Sequence, residues 1–272
     1  MNNEKRFRLA LLDLDGTLWR DGVVIPGAPA FVERLRRQGV QPVFFTNNSS
    51  RTPDEVVAVL AKCAIQAAAN EVCTTAQAAA HVLQQRLYKG ASVMYVGRDG
   101  VRTALLEADF MVRRAQGDAL GEAWLQDVDA VVVGMDQRVT YLDLAVVARV
   151  IARLGWFVLT NPDVRLPVED GFLPGNGAQG ALLSTATGVS PIVTGKPDPS
   201  FIDFALQRYQ VSREETVIIG DNLYTDILAG QQASVHSIMV RSGVVFPPAD
   251  DAPIPDETVD SVDVLFRNEA VN

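Results

Sequence analysis

Short apolar runs alternate with amphipathic stretches along most of this chain. Continuous apolar runs are typical of strands covered on both faces, and apolar residues every three or four positions are typical of helices with one buried face. The predicted strands are LALLDLD, QPVFFTN, ASVMYVG, VDAVVVG, GWFVLTN, PIVTGK, ETVIIGDN and HSIMVRSG. The predicted helices are APAFVERLRRQG, PDEVVAVLAKCA, TTAQAAAHVLQQRL, LDLAVVARVIARLG, PSFIDFALQRYQ and TDILAGQQA. Their alternation predicts an α/β fold with a parallel sheet and helices on both faces.

Composition narrows the class of protein. The 272 residues leave room for one large α/β domain or two smaller ones. The net charge of -9 argues against a nucleic-acid partner. No apolar stretch approaches the roughly 20 residues of a membrane span, and the N-terminus lacks the apolar core of a signal peptide. Cys63 and Cys73 are too few for a disulfide framework. We therefore expect a cytoplasmic protein without a membrane or nucleic-acid partner.

Four predicted strands end in polar residues. LALLDLD ends in Asp13 and Asp15, which point to the same side if the chain stays extended. The other three strands deliver Thr46, Asn47, Asn48, Lys196 and Asp221, with Asp226 at the start of the next helix. Each has an ordinary explanation as a turn, a helix cap or a solvated charge. Ligands of such folds bind at the carboxyl ends of strands, however, so we expect these side chains to converge. Carboxylates of Asp13, Asp15 and Asp221 suit Mg²⁺ with a substrate phosphate, whose charge Lys196 and the donors around Thr46 would balance.

The order of these residues carries a family resemblance. The chain is similar to the haloacid dehalogenase (HAD) superfamily in Asp13-Leu-Asp15-Gly-Thr-Leu, Thr46, Lys196 and Gly220-Asp221-x4-Asp226. The segments FFTNNSSRTPDE, TNPD, GKPDPSF and GDNLYTDILAG resemble its NagD-like, p-nitrophenylphosphatase type (class IIA), and the similarity spans residues 8–245. The resemblance implies a Rossmann-like HAD core with a parallel sheet and an inserted α/β cap domain.

The spacing of the motifs locates the insertion. Only 33 residues separate Asp13 from Thr46, which is room for one helix and one strand. By contrast, 150 residues separate Thr46 from Lys196, far more than one crossover needs. We therefore expect a core formed by residues 1–79 and 181–272, with the cap domain at 80–180.

The resemblance also implies a reaction, namely Mg²⁺-dependent hydrolysis of a small phosphomonoester through an aspartyl-phosphate intermediate. Asp13 would be the nucleophile, and Asp15 would be first the general acid and then the general base. The groups implied to hold the phosphoryl oxygens are Thr46, Asn47, Asn48 and Lys196. The groups implied to hold Mg²⁺ are Asp13, the backbone carbonyl of Asp15 and Asp221, with Asp226 behind them.

Several alternatives stay open. A non-catalytic phospho-ligand-binding protein on the same scaffold is disfavoured, because a binder needs neither nucleophile nor acid. The family cap contributes specificity, so Asn161, Asp163 and Arg165 of TNPDVRLP are expected to reach the substrate, although Arg165 could equally hold the loop. The substrate itself is not readable among sugar phosphates, glycerol phosphate, phosphoglycolate, pyridoxal phosphate and nucleotides. A homodimer is one alternative for the oligomeric state, because caps of this type often mediate dimers.

One further motif is a literal G-x-G-x-x-G, GNGAQG at 175–180. A dinucleotide site needs a strand immediately before this motif, but the predicted strand GWFVLT ends some fifteen residues earlier. We therefore expect a glycine-rich hinge or helix start.

Overall fold

The computed structural model describes residues 7–20, 22–168, 170–243 and 251–267. Its contacts divide the chain into two compact units. The first unit consists of Met1–Thr46, Pro53–Cys73 and Lys196–Asn272, and the second of Asn47–Thr52 and Thr74–Gly195. The second unit thus extends beyond the range 80–180 expected from the motif spacing. In the described ranges, no helix is both long enough and apolar enough to cross a bilayer.

Strands and helices alternate along both units. The strands are β1 (Leu9–Leu12), β2 (Trp19–Arg20), β3 (Val23–Val24), β4 (Gln41–Thr46), β5 (Val72–Thr74), β6 (Ser92–Val96), β7 (Met111–Arg114), β8 (Ala130–Val133), β9 (Val158–Leu159), β10 (Arg165–Val168), β11 (Gly171–Pro174), β12 (Ile192–Val193), β13 (Thr216–Gly220), β14 (His236–Val240) and β15 (Glu257–Val259). The helices are α1 (Ala28–Arg37), α2 (Pro53–Lys62), α3 (Thr75–Gln84), α4 (Asp99–Glu107), α5 (Tyr141–Leu154), α6 (Asn176–Thr187), α7 (Ser200–Tyr209) and α8 (Leu228–Ala233).

The first unit is built on a six-stranded sheet in the order β15-β14-β13-β1-β4-β5. β1 pairs in parallel with β4 and β13, and β14 pairs in parallel with β13 and β15. All four residues of β1 are buried, because both faces of this central strand are covered. The chain runs outward from β1 through β4 to β5 and later returns on the other side of β1 as β13. The topological switch point therefore lies between β1 and β13, where ligands of open α/β sheets bind.

The second unit has a five-stranded parallel sheet in the order β12-β9-β8-β6-β7. Successive residues of β6 face opposite cores: Val93 lies in one apolar cluster and Met94 in the other. The ends of the segment Thr74–Gly195 meet within this unit, because the Thr194 hydroxyl donates to the Thr75 carbonyl oxygen at 3.4 Å. The predicted α/β fold with parallel sheets is confirmed.

Several elements differ from the sequence predictions. β7 and α4 are present although no apolar run or helical stretch was assigned to them. β10 and β11 form an antiparallel hairpin, and β15 is an edge strand that begins at the end of the segment 246–258, which is predicted to be a surface loop, and extends one residue beyond it. Residues 246–250 of that segment lie outside the described residues.

The glycine-rich stretch GNGAQG forms the start of α6. A strand, β11, does precede it directly, so the expectation that none would do so is wrong. That strand belongs to an exposed antiparallel hairpin and not to a parallel sheet, so the dinucleotide motif still lacks its βαβ setting. A Cβ atom at Gly175 or Gly177 would overlap the carbonyl oxygens of Asp163 and Pro162, respectively. The glycines therefore allow the start of the helix to pack against the TNPD loop.

Candidate active site

Three carboxylates converge at the switch point of the six-stranded sheet. Asp13 follows β1 and Asp221 follows the adjacent strand β13. Asp226 lies in a single π-helical turn, Leu223–Ile227, which leads into α8. Each of the three offers an oxygen within 4.8 Å of the others. Clustered carboxylate oxygens are the ligands that hard divalent cations prefer, so this donor set fits such a cation.

Lys196 is the buried cation of this cluster, with 2% of its surface exposed. Its Nζ donates to Asp13 Oδ1 at 2.5 Å, to Asp226 Oδ1 at 2.7 Å and to the carbonyl oxygen of Phe45 at 3.2 Å. These three acceptors match the three donors of an ammonium group. A buried lysine is tolerated here because its charge is paired and all of its protons are bonded.

Burial and the neighbouring charges together set the proton affinities in the cluster. Burial raises the pKa of Asp13, Lys196 opposes that effect, and Asp226 and Asp221 add to it, so that the pKa lies well above 3.8. Burial acts to lower the pKa of Lys196, but the carboxylates of Asp13 and Asp226 outweigh burial and raise it. The lysine therefore stays charged, and one lysine does not neutralise three acids. A divalent cation beside them would offset the remaining negative charge.

The carboxylate of Asp15 does not join this cluster, contrary to the expectation for an extended chain. β1 ends at Leu12, and the chain turns at Gly16, whose φ is +90°. Asp15 Oδ1 instead accepts a hydrogen bond from the indole Nε1 of Trp19 at 2.7 Å. The three-carboxylate set consequently contains Asp226 in place of the side chain of Asp15.

Sequence reasoning missed the loop that follows β14. A Cβ atom at Gly243 would overlap the carboxylate of Asp221, and so would one at Gly16. The hydroxyl of Ser242 donates to the carbonyl oxygen of Gly16 at 2.9 Å, which ties the two loops together. Asp221 thus lies between two glycines. The available signal was the glycine that ends the predicted strand HSIMVRSG, since that strand lies next to β13, which Asp221 follows.

The structure corrects the expected origin of Lys196. β12, from the run PIVTGK, pairs with β9 in the second unit, and so Lys196 does not follow a strand of the six-stranded sheet. It lies where the chain re-enters the first unit. Thr46 does end a strand of that sheet, β4, and is buried.

Asn47 and Asn48 belong to the second unit. The carbonyl oxygen of Asn47 accepts hydrogen bonds from the hydroxyl of Thr75 and from Nδ2 of Asn161, both at 2.9 Å. Asn48 Oδ1 accepts a hydrogen bond from the backbone N–H of Ser50 at 2.8 Å, which is an Asx turn. These contacts fix the segment that follows Thr46.

The TNPDVRLP residues take two different roles. Asn161 is buried and accepts a hydrogen bond from the backbone N–H of Asp163 at 3.2 Å, in addition to its bond to the Asn47 carbonyl. Asp163 also accepts from Nδ2 of Asn47 at 3.2 Å. Arg165, by contrast, is exposed, and its guanidinium lies 4.4 Å from the centroid of the Phe172 ring across the β10–β11 hairpin. Asn161 and Asp163 hold the loop, whereas Arg165 is accessible.

Comparison with known proteins agrees with this geometry. A family model described as haloacid dehalogenase-like hydrolase matches residues 10–111, and one described as HAD-hydrolase-like matches 193–265. A relative, the acid sugar phosphatase of Staphylococcus aureus strain MRSA252, is 38% identical over 240 residues, or 88% of each chain. The chain belongs to the haloacid dehalogenase-like hydrolase family.

Solved structures of this family share its architecture. NagD from E. coli K-12 has a TM-score of 0.84 and 31% identity, covering 96% of this chain and 98% of that one. The glycerol phosphate phosphatase of Mycobacterium tuberculosis, crystallised with magnesium, has a TM-score of 0.84 and 33% identity, covering 94% of this chain and 75% of that one. The class IIA resemblance is confirmed: the chain is a HAD-type phosphatase of the NagD-like type. The carboxylate cluster and the magnesium-bound relative together support a divalent metal as its cofactor.

Proposed function

We propose that this phosphatase hydrolyses the phosphomonoesters of sugars or related small polyols, with Mg²⁺ as cofactor and an aspartyl-phosphate intermediate. The observation that carries the proposal is the position of Asp13, a buried carboxylate at a switch point, 2.5 Å from the charged Lys196 and beside two further acids. The substrate class is supported by the relatives, one named an acid sugar phosphatase and another a glycerol phosphate phosphatase.

The family resemblance supplies the ligands that we propose for the metal and the phosphate. Mg²⁺ would be held by Asp13, the backbone carbonyl of Asp15 and Asp221, with Asp226 behind them. When bound, the ion offsets negative charge on the cluster and on the phosphoryl group. The groups proposed to hold the phosphoryl oxygens are Thr46, Asn47, Asn48 and Lys196. Lys196 can serve in this way because its Nζ lies 2.5 Å from Oδ1 of Asp13, the carboxylate proposed to receive the phosphoryl group.

Two displacements complete the reaction. A carboxylate oxygen of Asp13 attacks phosphorus, and the ester P–O bond breaks while Asp15 gives its proton to the leaving alcohol oxygen. Asp15, now ionised, then removes a proton from water as the water oxygen attacks phosphorus. The bond between phosphorus and Asp13 breaks, which releases inorganic phosphate and leaves Asp13 ionised and Asp15 protonated, as they were before the reaction.

Selectivity is proposed to reside in the second unit, which would be the cap domain, whereas the first unit would be the catalytic core. The core groups bind the phosphoryl end, which every phosphomonoester shares, so discrimination requires contacts with the leaving group. Within the TNPDVRLP stretch, Asn161 and Asp163 would shape the loop, and Arg165 is suited to an anionic substrate group.

Acid-quench trapping tests the chemistry. Asp13→Asn should form no phosphoenzyme, and Asp15→Asn should lose about 10²–10⁴ in rate while still allowing attack. The exposed Asp118 provides a matched control, since Asp118→Asn removes the same charge from a residue of the second unit that is not part of the cluster. EDTA should abolish turnover and Mg²⁺ should restore it. A trapped phosphoenzyme in Asp13→Asn, or full activity of metal-free protein, would contradict the mechanism.

A panel of phosphomonoesters tests the substrate class separately. Sugar and glycerol phosphates should rank above phosphoglycolate, pyridoxal phosphate and nucleotides in kcat/KM. A nucleotide or pyridoxal phosphate at the head of the ranking would refute the substrate class and leave the chemistry untouched.

A further inference from the structure

Trp19 makes a polar contact that the proposed mechanism does not yet use. Its side chain is 5% exposed, and its Nε1–H donates to Asp15 Oδ1 at 2.7 Å. Asp15 itself is exposed. Among the residues that the structure describes, Trp19 is the one whose side chain donates a hydrogen bond to the Asp15 carboxyl group.

The indole is a rigid donor because the backbone around it is fixed. Trp19 pairs with Val24 in the β2–β3 hairpin, its N–H donates to the Leu14 carbonyl oxygen at 3.2 Å, and its own carbonyl oxygen accepts from Gly16 N at 2.6 Å. The ring packs into the apolar core of the first unit. A hydrogen bond from a fixed donor to Oδ1 of the carboxyl group restricts a side chain that solvent exposure would leave mobile, and a protonated carboxyl group can still accept such a bond.

We infer that Trp19 is a positioning residue that holds Asp15 for proton transfer. The inference rests on the proposed function, in which Asp15 protonates the leaving alcohol. Proximity and orientation govern how well a general acid works, so an Asp15 carboxyl group freed from the indole transfers its proton less efficiently. Packing alone would give Trp19 no preference between substrates, whereas a positioning role makes the effect depend on the leaving group.

The leaving group distinguishes these two roles. The alcohol of glycerol phosphate leaves as a strongly basic alkoxide unless it is protonated, whereas p-nitrophenolate needs little help. Because kcat/KM reports the steps up to cleavage of the ester bond, Trp19→Phe should lower kcat/KM about tenfold for glycerol phosphate. The same variant should lower it less than about threefold for p-nitrophenyl phosphate.

The experiment is a double-mutant cycle with both substrates. We expect Trp19→Phe to have no further effect in an Asp15→Asn background, since the donor then has no general acid to position. Trp156→Phe, a change in the second unit, is the matched control and should leave both kcat/KM values unchanged. Thermal unfolding shows whether Trp19→Phe folds. If it does not, site-specific incorporation of benzothienylalanine at position 19 replaces the N–H by sulphur and keeps the shape of the ring.

The outcomes separate this inference from the proposed function. Equal losses on both substrates, or an undiminished loss in the Asp15→Asn background, would assign Trp19 a packing role and overturn the inference. Wild-type activity of Asp15→Asn itself would instead refute the proposed acid.

Discussion

Replacing the buried lysine tests how the carboxylate cluster is balanced. In Lys196→Met a side chain of similar length remains, but the two ion pairs at 2.5 and 2.7 Å are lost. At an effective dielectric constant of about 20, each pair is worth about 6–7 kcal/mol of Coulomb energy. Desolvation of the buried ions cancels much of that energy, so we expect a net loss of about 3–5 kcal/mol in the free energy of unfolding.

The loss should depend on pH in a definite direction. Without the lysine, the pKa of Asp13 rises further above its ordinary 3.8, because the group that lowers it is gone. The folded variant then binds more protons than the unfolded chain above pH 3.8, so its stability falls as the pH rises through that window. The deficit relative to wild type should therefore be larger at pH 8 than at pH 5, and Mg²⁺ should reduce it at pH 8.

Urea unfolding at pH 5 and pH 8, with and without Mg²⁺, measures these quantities. Lys89→Met is the matched control, because Lys89 pairs with Asp109 at 3.0 Å on the surface and should cost less than about 1 kcal/mol. A Lys196→Met deficit below about 1 kcal/mol, or one that grows as the pH falls, would refute the reasoning about the cluster.

Three other substitutions or reactions test separate features. Gly16→Ala should abolish most activity and weaken Mg²⁺ binding, because φ is +90° there and a methyl group would displace Asp221. Gly22→Ala is the control, because Gly22 has a φ of +78° but faces open space. Equal losses of activity in the two variants would contradict this account. Arg165→Ala should lower kcat/KM for an anionic preferred substrate, with a loss of transition-state stabilisation of about 1.5–3 kcal/mol, and should spare p-nitrophenyl phosphate. A uniform loss on all substrates would refute the role of Arg165 in specificity. Burial raises the pKa of Cys73 to about 11, so this thiol should resist alkylation at pH 8 until urea unfolds the protein, and rapid labelling of the native chain would disprove its burial.

The main strands and helices were predictable because the spacing of apolar residues along the sequence reflects which side chains are buried. β1 and β13 are fully buried strands, and their sequences LALL and TVIIG are unbroken apolar runs. The hairpin β10–β11 was missed because RLPVEDGFLP contains prolines and β11 is exposed throughout, so it lacks a buried face and a period-two pattern. A short edge strand such as β15, next to a segment rich in proline and aspartate, is obscured for a similar reason.

The candidate site was predictable as a set of residue types but not as a geometry. An apolar run such as PIVT does not reveal which of two sheets it joins, so Lys196 was assigned to the wrong strand end. The orientation of Asp15 depends on a hydrogen bond from Trp19, four residues away, and on a turn that extended-chain geometry does not anticipate. The contact of Gly243 with Asp221 joins loops that are distant in sequence, and no local pattern records it.

The hydrogen bond between Thr194 and Thr75 has a consequence for folding. It brings together the two ends of a segment of about 120 residues inserted in the chain of the first unit. Closing a flexible loop of that length costs about 4 kcal/mol of chain entropy. If the second unit is already folded, its two ends are held together, and the first unit does not pay that entropy when it folds. If the second unit is unfolded, folding of the first unit must bring together the ends of the whole flexible segment. Substitutions that destabilise the second unit should therefore slow the folding of the first through chain entropy alone.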